Sequence, residues 1–374
     1  MRIASYNVEN MFRRPVALNQ ETWAQGRPIL EAYGELQDLL EQPSYSAADK
    51  TRIVELLTAL GLLNSDQSRW VILRRTRGQL LTRRRDGTVL VTAEGRGDWI
   101  GWLELKREAV NEVATRNTAR VVGDMSADVL AVIEAEDRPA LQRFNEDVLP
   151  FGFADDTAPW RYRHVMLIDG NDDRGIDVGL LTRERFAITR MRSHVDEEAP
   201  NGERLSSRDC PEYEVTLPGG KALLVLVNHF KSKGHGTQAS NNARRLAQAT
   251  RVAEIYRSRR ADGWKRVAAL GDLNDTPDSA PLDPLLDGSD LKDVSEHPAY
   301  IQDGRSGTFQ TSKDKFDYLL LSPELFGTVT LAGLNRSGVW HGPKVKNPWQ
   351  MLDTLTTQEQ AASDHAAIWA DVAL

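Results

Sequence analysis

The chain has 374 residues, 40% of them hydrophobic and 27% charged, enough for one large or two ordinary domains with a packed core. Its 54 Asp and Glu outnumber 47 Lys and Arg, a formal net charge of -7, so any anionic substrate must be held by a local basic patch or a metal rather than by the field of the whole protein. One cysteine, Cys210, excludes an intramolecular disulfide framework and a cysteine-based zinc site, and no apolar stretch approaches the length of a membrane span.

The opening MRIASYNVENMF enters a strand-like pattern at RIASY (2–6) without the apolar stretch and cleavage site of a secretory signal. With a single cysteine, this predicts the cytoplasm. Residues 13–105 break the rhythm that follows. Two helix-like stretches near 34–42 and 47–62 precede VILRRTRGQLLTRRRDGTVLVTAEG, which reads as strands joined at Arg77-Gly78 and Asp86-Gly87, the second a good hairpin signal. We read this block as an insertion with helices and an Arg-rich β-hairpin, dividing a catalytic domain of residues 1–12 and 106–374.

From residue 106 onward, helical spacing alternates with short apolar runs. Residues 106–121 place Val110, Val113, Ala114 and Val121 on one helix face, and residues 241–259 do the same with Leu246, Ala249, Ala253 and Tyr256. Strand-like runs are VLAVI (129–133), HVMLI (164–168), IDVGLLT (176–182), LLVLV (223–227), RVAAL (266–270), YLLL (318–321) and AAIWA (366–370). A continuous run such as LLVLV predicts a strand covered on both faces, and the alternation predicts a layered α/β protein. DGNDDRG (169–175) reads as a polar, acidic loop.

The apolar runs end or begin on hard polar residues. Asn7 and Glu9 follow the first run, Glu134 and Glu136 follow VLAVI, Asn228 and His229 follow LLVLV, and Asp272 and Asn274 follow RVAALG. Asp317 precedes YLLL, and Asp364 and His365 precede AAIWA. If the last two strands run antiparallel to the others, all these groups meet at one rim. Carboxylates, amides and histidines without cysteine suit a hard divalent cation, Mg2+ or Mn2+, with Glu134 as its first ligand and Asn7 placing or supporting it. Hydrolysis of a phosphodiester also needs a base and donors at the developing charge. Either His365 held by Asp317, or Asp272 with Asn274, can serve the nucleophile, while His229 and the metal stabilise the phosphate. Each residue alone has a plainer explanation, since Asn and Gly-Asp form turns and a Glu after a strand is ordinarily a loop carboxylate. Their joint occurrence at so many strand ends is what turns the reading toward chemistry.

The motifs SYNVEN, ADVLAVIEAE, GIDVGLLTR, VNHFKSKG, GDLNDTP, FDYLLLSPEL and SDHAAI resemble, in order, those of the endonuclease/exonuclease/phosphatase superfamily, and VNHFKSKG is similar to bacterial extracellular nucleases. The resemblance covers residues 1–12 and 106–374. It implies an α/β (α+β) fold, a four-layer α/β/β/α sandwich of two packed mixed β-sheets. It further implies metal binding by Asn7, Glu134 and Asp364, phosphate contact by His229, nucleophile activation or orientation by Asp272 and Asn274, and a His365 oriented by Asp317. Ile133 stands where many relatives have Gln, and the motifs of abasic-site enzymes are missing.

In the insertion, Arg74, Arg75, Arg77, Arg83, Arg84 and Arg85 precede any acid until Asp86, and such a hairpin suits a nucleic-acid backbone. Lys231 and Lys233 lie nearer the presumed chemistry. Trp99 and Trp102, three apart beside apolar residues, are expected in the core, and Cys210 is given no role. The expected activity is a metal-dependent DNA endonuclease with little sequence preference. A phosphatase or phosphodiesterase for RNA, a nucleotide, an inositol phosphate or a phospholipid head group is the alternative. Neither a membrane nor an oligomeric state is implied.

Overall fold

The run RIASYN forms strand β1 (Arg2–Asn7) in a computed structural model that describes residues 1–20, 23–151, 161–172, 174–199, 202–234, 236–310 and 313–373. The chain then enters β2 (Arg13–Pro15), α1 (Trp23–Leu40), α2 (Ala47–Ala59), β3 (Val71–Arg77), β4 (Leu81–Arg83), β5 (Val89–Val91), β6 (Ile100–Leu105) and β7 (Arg107–Ala109). It returns with α3 (Glu112–Met125), β8 (Val129–Ala135), α4 (Arg138–Arg143), β9 (His164–Ile168), β10 (Asp177–Thr182), β11 (Ala187–Arg192) and β12 (Glu212–Thr216). The remaining main elements are β13 (Ala222–His229), α5 (Gln238–Ala261), β14 (Val267–Asp272), β15 (Lys292–Asp293), β16 (Asp317–Leu321), β17 (Val329–Asn335) and β18 (Ala367–Val372). Two units result, one of Met1–Phe12, Val110–Lys233 and Ala239–Leu374, the other of Arg13–Ala109 with Gly234–Gln238.

The first unit holds two mixed six-stranded sheets, ordered β17-β18-β1-β8-β10-β9 and β11-β12-β13-β14-β16-β15. Strand alternation sorts the side chains into layers. Ile3, Ala131, Ile133 and Leu180 of one sheet meet Leu223, Val225, Val227, Leu270 and Leu319 of the other. On the outer face of the first sheet, Ala4, Tyr6, Leu130 and Val132 pack with Ala119, Val122 and Met125 of α3. On the outer face of the second, Leu224, Leu226, Ala269 and Tyr318 pack with Ala249, Val252, Ala253 and Tyr256 of α5. These layers make the α/β/β/α sandwich, and they explain why LLVLV has no polar alternate: both faces of β13 are covered. At roughly 1.5–3 kcal/mol for each fully buried large aliphatic, that one strand anchors two of the three interlayer contacts.

Two helices differ from the periodicity reading, one in its bounds and one in its buried face. Helix α3 begins at Glu112 because the Asn111 side chain accepts a hydrogen bond from the Val113 N–H and caps it, and it ends at Ser126 in the left-handed region. In α5, Leu246 is 44% exposed, and the buried face instead includes Arg245 and Gln248. Apolar spacing misses that stripe because those two polar residues are buried by hydrogen bonds to loops, Arg245 to the Lys231 carbonyl and Gln248 to the Lys231 N–H.

The second unit packs α1 and α2 against Val71, Leu73, Trp99, Leu103 and Leu105. The hairpin expected at Asp86-Gly87 forms, but the strand pairing expected across Arg77-Gly78 does not. Strand β3 pairs with β6, not with β4, and only β4 and β5 make the hairpin that turns through Asp86-Gly87. Val71 and Leu73 alternate in register with Leu105 and Leu103, so burying one face of a β3–β6 ribbon outweighs a local β3–β4 turn. Trp99 is fully buried as expected, whereas Trp102, on the opposite ribbon face, is 44% exposed. Among the described residues, no helix is long and apolar enough to cross a membrane.

Candidate active site

The site is built on the rim where strand ends from both sheets meet. Strands β1 and β8 are parallel, as are β13 and β14, so Asn7, Glu134, His229 and Asp272 sit at C-terminal ends. Strands β18 and β16 run antiparallel to β1 and β14, which brings their beginnings to the same rim. Two hydrogen bonds join the sheets there. The Asn7 Nδ2 donates to Asp272 Oδ2 at 3.2 Å, and His365 Nδ1 lies 2.7 Å from Asp317 Oδ2.

Glu134 does not follow its strand but interrupts it. Ile133 pairs with Val178 and Ala135 with Asp177, leaving Glu134 as the extra residue of a β-bulge with φ of 65°. A bulge re-aims a side chain out of the regular alternation, and a left-handed non-glycine residue is strained. Here the effect is to set Glu134 Oε1 3.5 Å from His229 Nε2. The neighbouring loop is held in similar backbone: Glu9 and Asn10 have φ of 51° and 60°, and the Asn10 N–H donates to the Glu134 carbonyl at 3.0 Å. Asn7 Oδ1 accepts from the Glu9 N–H, and Glu9 Oε2 accepts from the Asp364 N–H, both at 3.1 Å.

The turn after β14 is equally constrained. Gly271 has φ of 130°, and a Cβ there would meet the Asn228 carbonyl oxygen at 1.9 Å, so GDLND needs its glycine. Asp272 Oδ1 accepts from the Asn274 N–H at 2.8 Å, and Asn274, itself left-handed at φ 53°, donates from Nδ2 to the Phe230 carbonyl at 3.1 Å. Asp272 Oδ2 lies 3.8 Å from both His229 Nε2 and His365 Nε2.

These contacts polarise the two histidines in opposite directions. Burial, reinforced by Arg208 and Arg174, pushes the pKa of His229 well below its usual value, so it is neutral and its approach to Glu134 is not an ion pair. Burial also opposes charge on His365, but Asp317, Asp364 and Asp272 outweigh it and hold this imidazole protonated. Burial holds the Asp272 carboxyl above the usual carboxylate range; His365 opposes the shift, while Asp317 and Glu134 add to it.

The donor set fits a hard divalent cation. Ligand atoms of Glu134, His229 and Asp272 lie within 4.8 Å of one another, as do those of Asp272, Asp317 and His365. Asp317 Oδ1 and His229 Nδ1 are buried with no hydrogen-bond partner among the described residues. Carboxylates crowded enough to raise one another's pKa are what a cation with oxygen ligands relieves.

Of the remaining site expectations, Lys231 and Lys233 flank this rim while the six arginines lie in the other unit. Burial, then Arg174, Arg208, Arg244 and Arg245, lowers Lys231 to about 7. Lys233 Nζ is taken by Asp275 Oδ1 at 2.8 Å, and Arg245 Nε meets Asp275 Oδ2 at 2.9 Å. In the insertion, Arg74 is paired with Glu104 at 2.7 Å and Arg83 with Asp66 at 2.8 Å, whereas Arg75, Arg77, Arg84 and Arg85 are exposed.

The sequence reading missed Asp172, Arg174 and Arg208. Arg174 and Arg208 both reach Asp172 Oδ2, at 2.6 and 3.1 Å, and Arg208, fully buried, also donates to the Phe230 carbonyl that Asn274 uses. Arg174, directly before β10 in a segment read only as an acidic loop, carried a faint signal. Asp173 of that loop lies outside the described residues. Arg208 sits in an irregular stretch without periodicity and carried none.

A two-sheet sandwich with this acid, amide and histidine rim defines a phosphoester hydrolase. The sequence profile of the Endonuclease/Exonuclease/phosphatase family matches residues 94–329, and the chain belongs to that family. No curated protein matches the sequence. Among solved structures, it is similar to the mannosyl-6-phosphatase Bt3783 of Bacteroides thetaiotaomicron VPI-5482, at 14% identity over 70% of this chain and 92% of that one, with a TM-score of 0.49. The human Nocturnin catalytic domain gives 16% identity over 71% and 88%, with a TM-score of 0.49. Truncated Caenorhabditis elegans TDP2 gives 18% over 69% and 90%, with a TM-score of 0.46. Similarity at this level says nothing of the substrate.

Proposed function

We propose that the protein is a divalent-metal-dependent phosphodiesterase that cuts DNA internally with little sequence preference. The observation that carries the reading is the convergence of Asn7, Glu134, His229, Asp272, Asn274, Asp317 and His365 from both sheets on one rim. In this reading Glu134, with Asn7 and Asp364, holds Mg2+ or Mn2+, which supplies Lewis-acid stabilisation of the phosphate. A protonated His365 cannot accept a proton, so Asp272 takes the one released as water adds to phosphorus, and Asn274 fixes the carboxylate that receives it. His365, oriented by Asp317, presents its Nε2–H to the charge developing as the P–O bond breaks. Neutral His229 donates to a phosphate oxygen, and Arg174 and Arg208 add fixed positive charge beside it.

DNA rather than a small ester is favoured by the insertion. Residues 13–109 carry 15 Lys and Arg against 13 Asp and Glu in a chain where acids are in excess. The test is incubation with supercoiled plasmid in Mg2+, Mn2+ or excess chelator, beside Asp272→Asn. Nicking that needs both metal and Asp272 supports the reading. No cutting by folded, metal-binding protein refutes DNA and turns the assignment to RNA or small phosphate esters.

A further inference from the structure

The insertion's β3–β6 ribbon has one face on its own core and one in solvent. In register, Ile72 stands opposite Glu104, Arg74 opposite Trp102, and Arg77 opposite Ile100. Paired residues share a face, so these six form the outer surface, with Trp102 44% and Ile100 40% exposed. A β-bulge between Arg75 and Arg77 sets this arrangement. Without it Thr76 would face Ile100; with it Arg77 is turned onto the outer face, and Thr76 instead bonds the Ile100 carbonyl at 3.0 Å.

An exposed indole between two arginines is an unusual solvent face. Arg74 is neutralised by Glu104, but Arg77 has no ion pair among the described residues, and no acid occurs from Gln67 to Arg85; Arg75, opposite Gly101, belongs to the other face. We infer that this face binds single-stranded nucleic acid, with a base stacked on Trp102 and a phosphate on Arg77. The indole needs the open face of an unpaired base, which a duplex hides, and arginine beside it complements the adjoining phosphate. The inference rests on the nuclease reading for its biological sense but not for its test.

Binding of fluorescein-labelled dT20 to the full chain is measured by anisotropy in excess chelator, so that no cleavage occurs. Trp102→Ala is expected to weaken binding about tenfold. Arg77→Ser is expected to make the slope of log K against log salt shallower by about 0.7. Circular dichroism checks that both variants fold. An unchanged dT20 affinity in Trp102→Ala overturns the inference, as does an equal loss on a 20-base-pair duplex, which would mean backbone contact without stacking. Hydrolysis of bis(p-nitrophenyl) phosphate by the wild-type protein is followed separately. Turnover without Trp102-dependent binding sinks only this inference, and Trp102-dependent binding without turnover sinks only the hydrolase mechanism.

Discussion

Replacing Glu134 separates the demands of the site from those of the fold. Its φ of 65° lies in the left-handed region, where an L-residue is disfavoured by roughly 1–2 kcal/mol. Glycine removes that strain but gives back roughly 0.5–1 kcal/mol in unfolded-chain entropy, whereas alanine keeps the strain. Both substitutions remove a carboxylate that crowds Asp272, so that benefit cancels between them. Glu134→Gly should therefore exceed Glu134→Ala by about 1 kcal/mol. With an unfolding entropy of about 2.1 cal/mol/K per residue over the roughly 270 residues of the catalytic unit, the difference in Tm is about 2 °C. Both variants should lose plasmid nicking by at least ~100-fold. The assay is scanning calorimetry in chelator, paired with turnover in Mg2+. If Glu134→Gly melts at or below Glu134→Ala, the bulge is not strained as argued; if either nicks at the wild-type rate, Glu134 is no part of the site.

Asp317→Asn keeps the shape of the buried partner of His365 while removing its charge, so turnover should fall by roughly 100-fold or more in the plasmid assay, and retention of half the wild-type rate would refute the pairing's role. His194 lies 2.7 Å from Glu197 and 2.9 Å from Glu212, and these carboxylates raise its pKa against the effect of burial. Its contribution to stability is fully present below the unfolded value of about 6.5 and is lost as pH rises through the raised one. Glu212, drawn down to about 2 by Arg259 and His194 despite burial, contributes stability above its ordinary range that is lost as pH falls toward 2. Thermal melts should thus show a steeper alkaline fall in wild type than in His194→Gln, and parallel curves would remove His194 from the account.

The sandwich was legible because both sheets are covered twice. Runs such as LLVLV and VLAVI have no polar alternate, so they announce strands whose ends alone are free to be polar, and those ends are where Asn228, His229 and Glu134 stand. What periodicity did not reveal depends on contacts remote in sequence. Arg208 is buried by Asp172 and by the Phe230 carbonyl, and Leu246 lost its place in the helix face to Arg245 and Gln248, which answer loops rather than a core. The pairing expected across Arg77-Gly78 failed for a related reason. The turn at Gly78 has the right chemistry, with φ of 68°, but the partner that buries Val71 and Leu73 lies about 30 residues away in β6. Local turn signals propose a pairing, and burial of a face decides it.

The charge distribution ties these observations together. In the nuclease reading, an acidic chain must overcome its own repulsion of a polyanionic substrate over two ranges. At short range, burial, with Arg174 and Arg208 beside it, lowers Lys231 to about 7, while burial, with Asp317 and Glu134 beside it, holds the Asp272 carboxyl above its usual range. A phosphate would relieve the like charge of the basic group, and a divalent cation that of the carboxylates. At long range, beyond roughly 8–10 Å in physiological salt, such a site is screened and cannot gather a polyanion by itself. In the nuclease reading that task falls to surface charge elsewhere, such as Arg75, Arg77, Arg84 and Arg85 of the insertion, which are exposed and have no ion pair among the described residues. Removing them should therefore depress turnover on a long polyanion while leaving the chemistry at the rim to report on the catalytic unit alone.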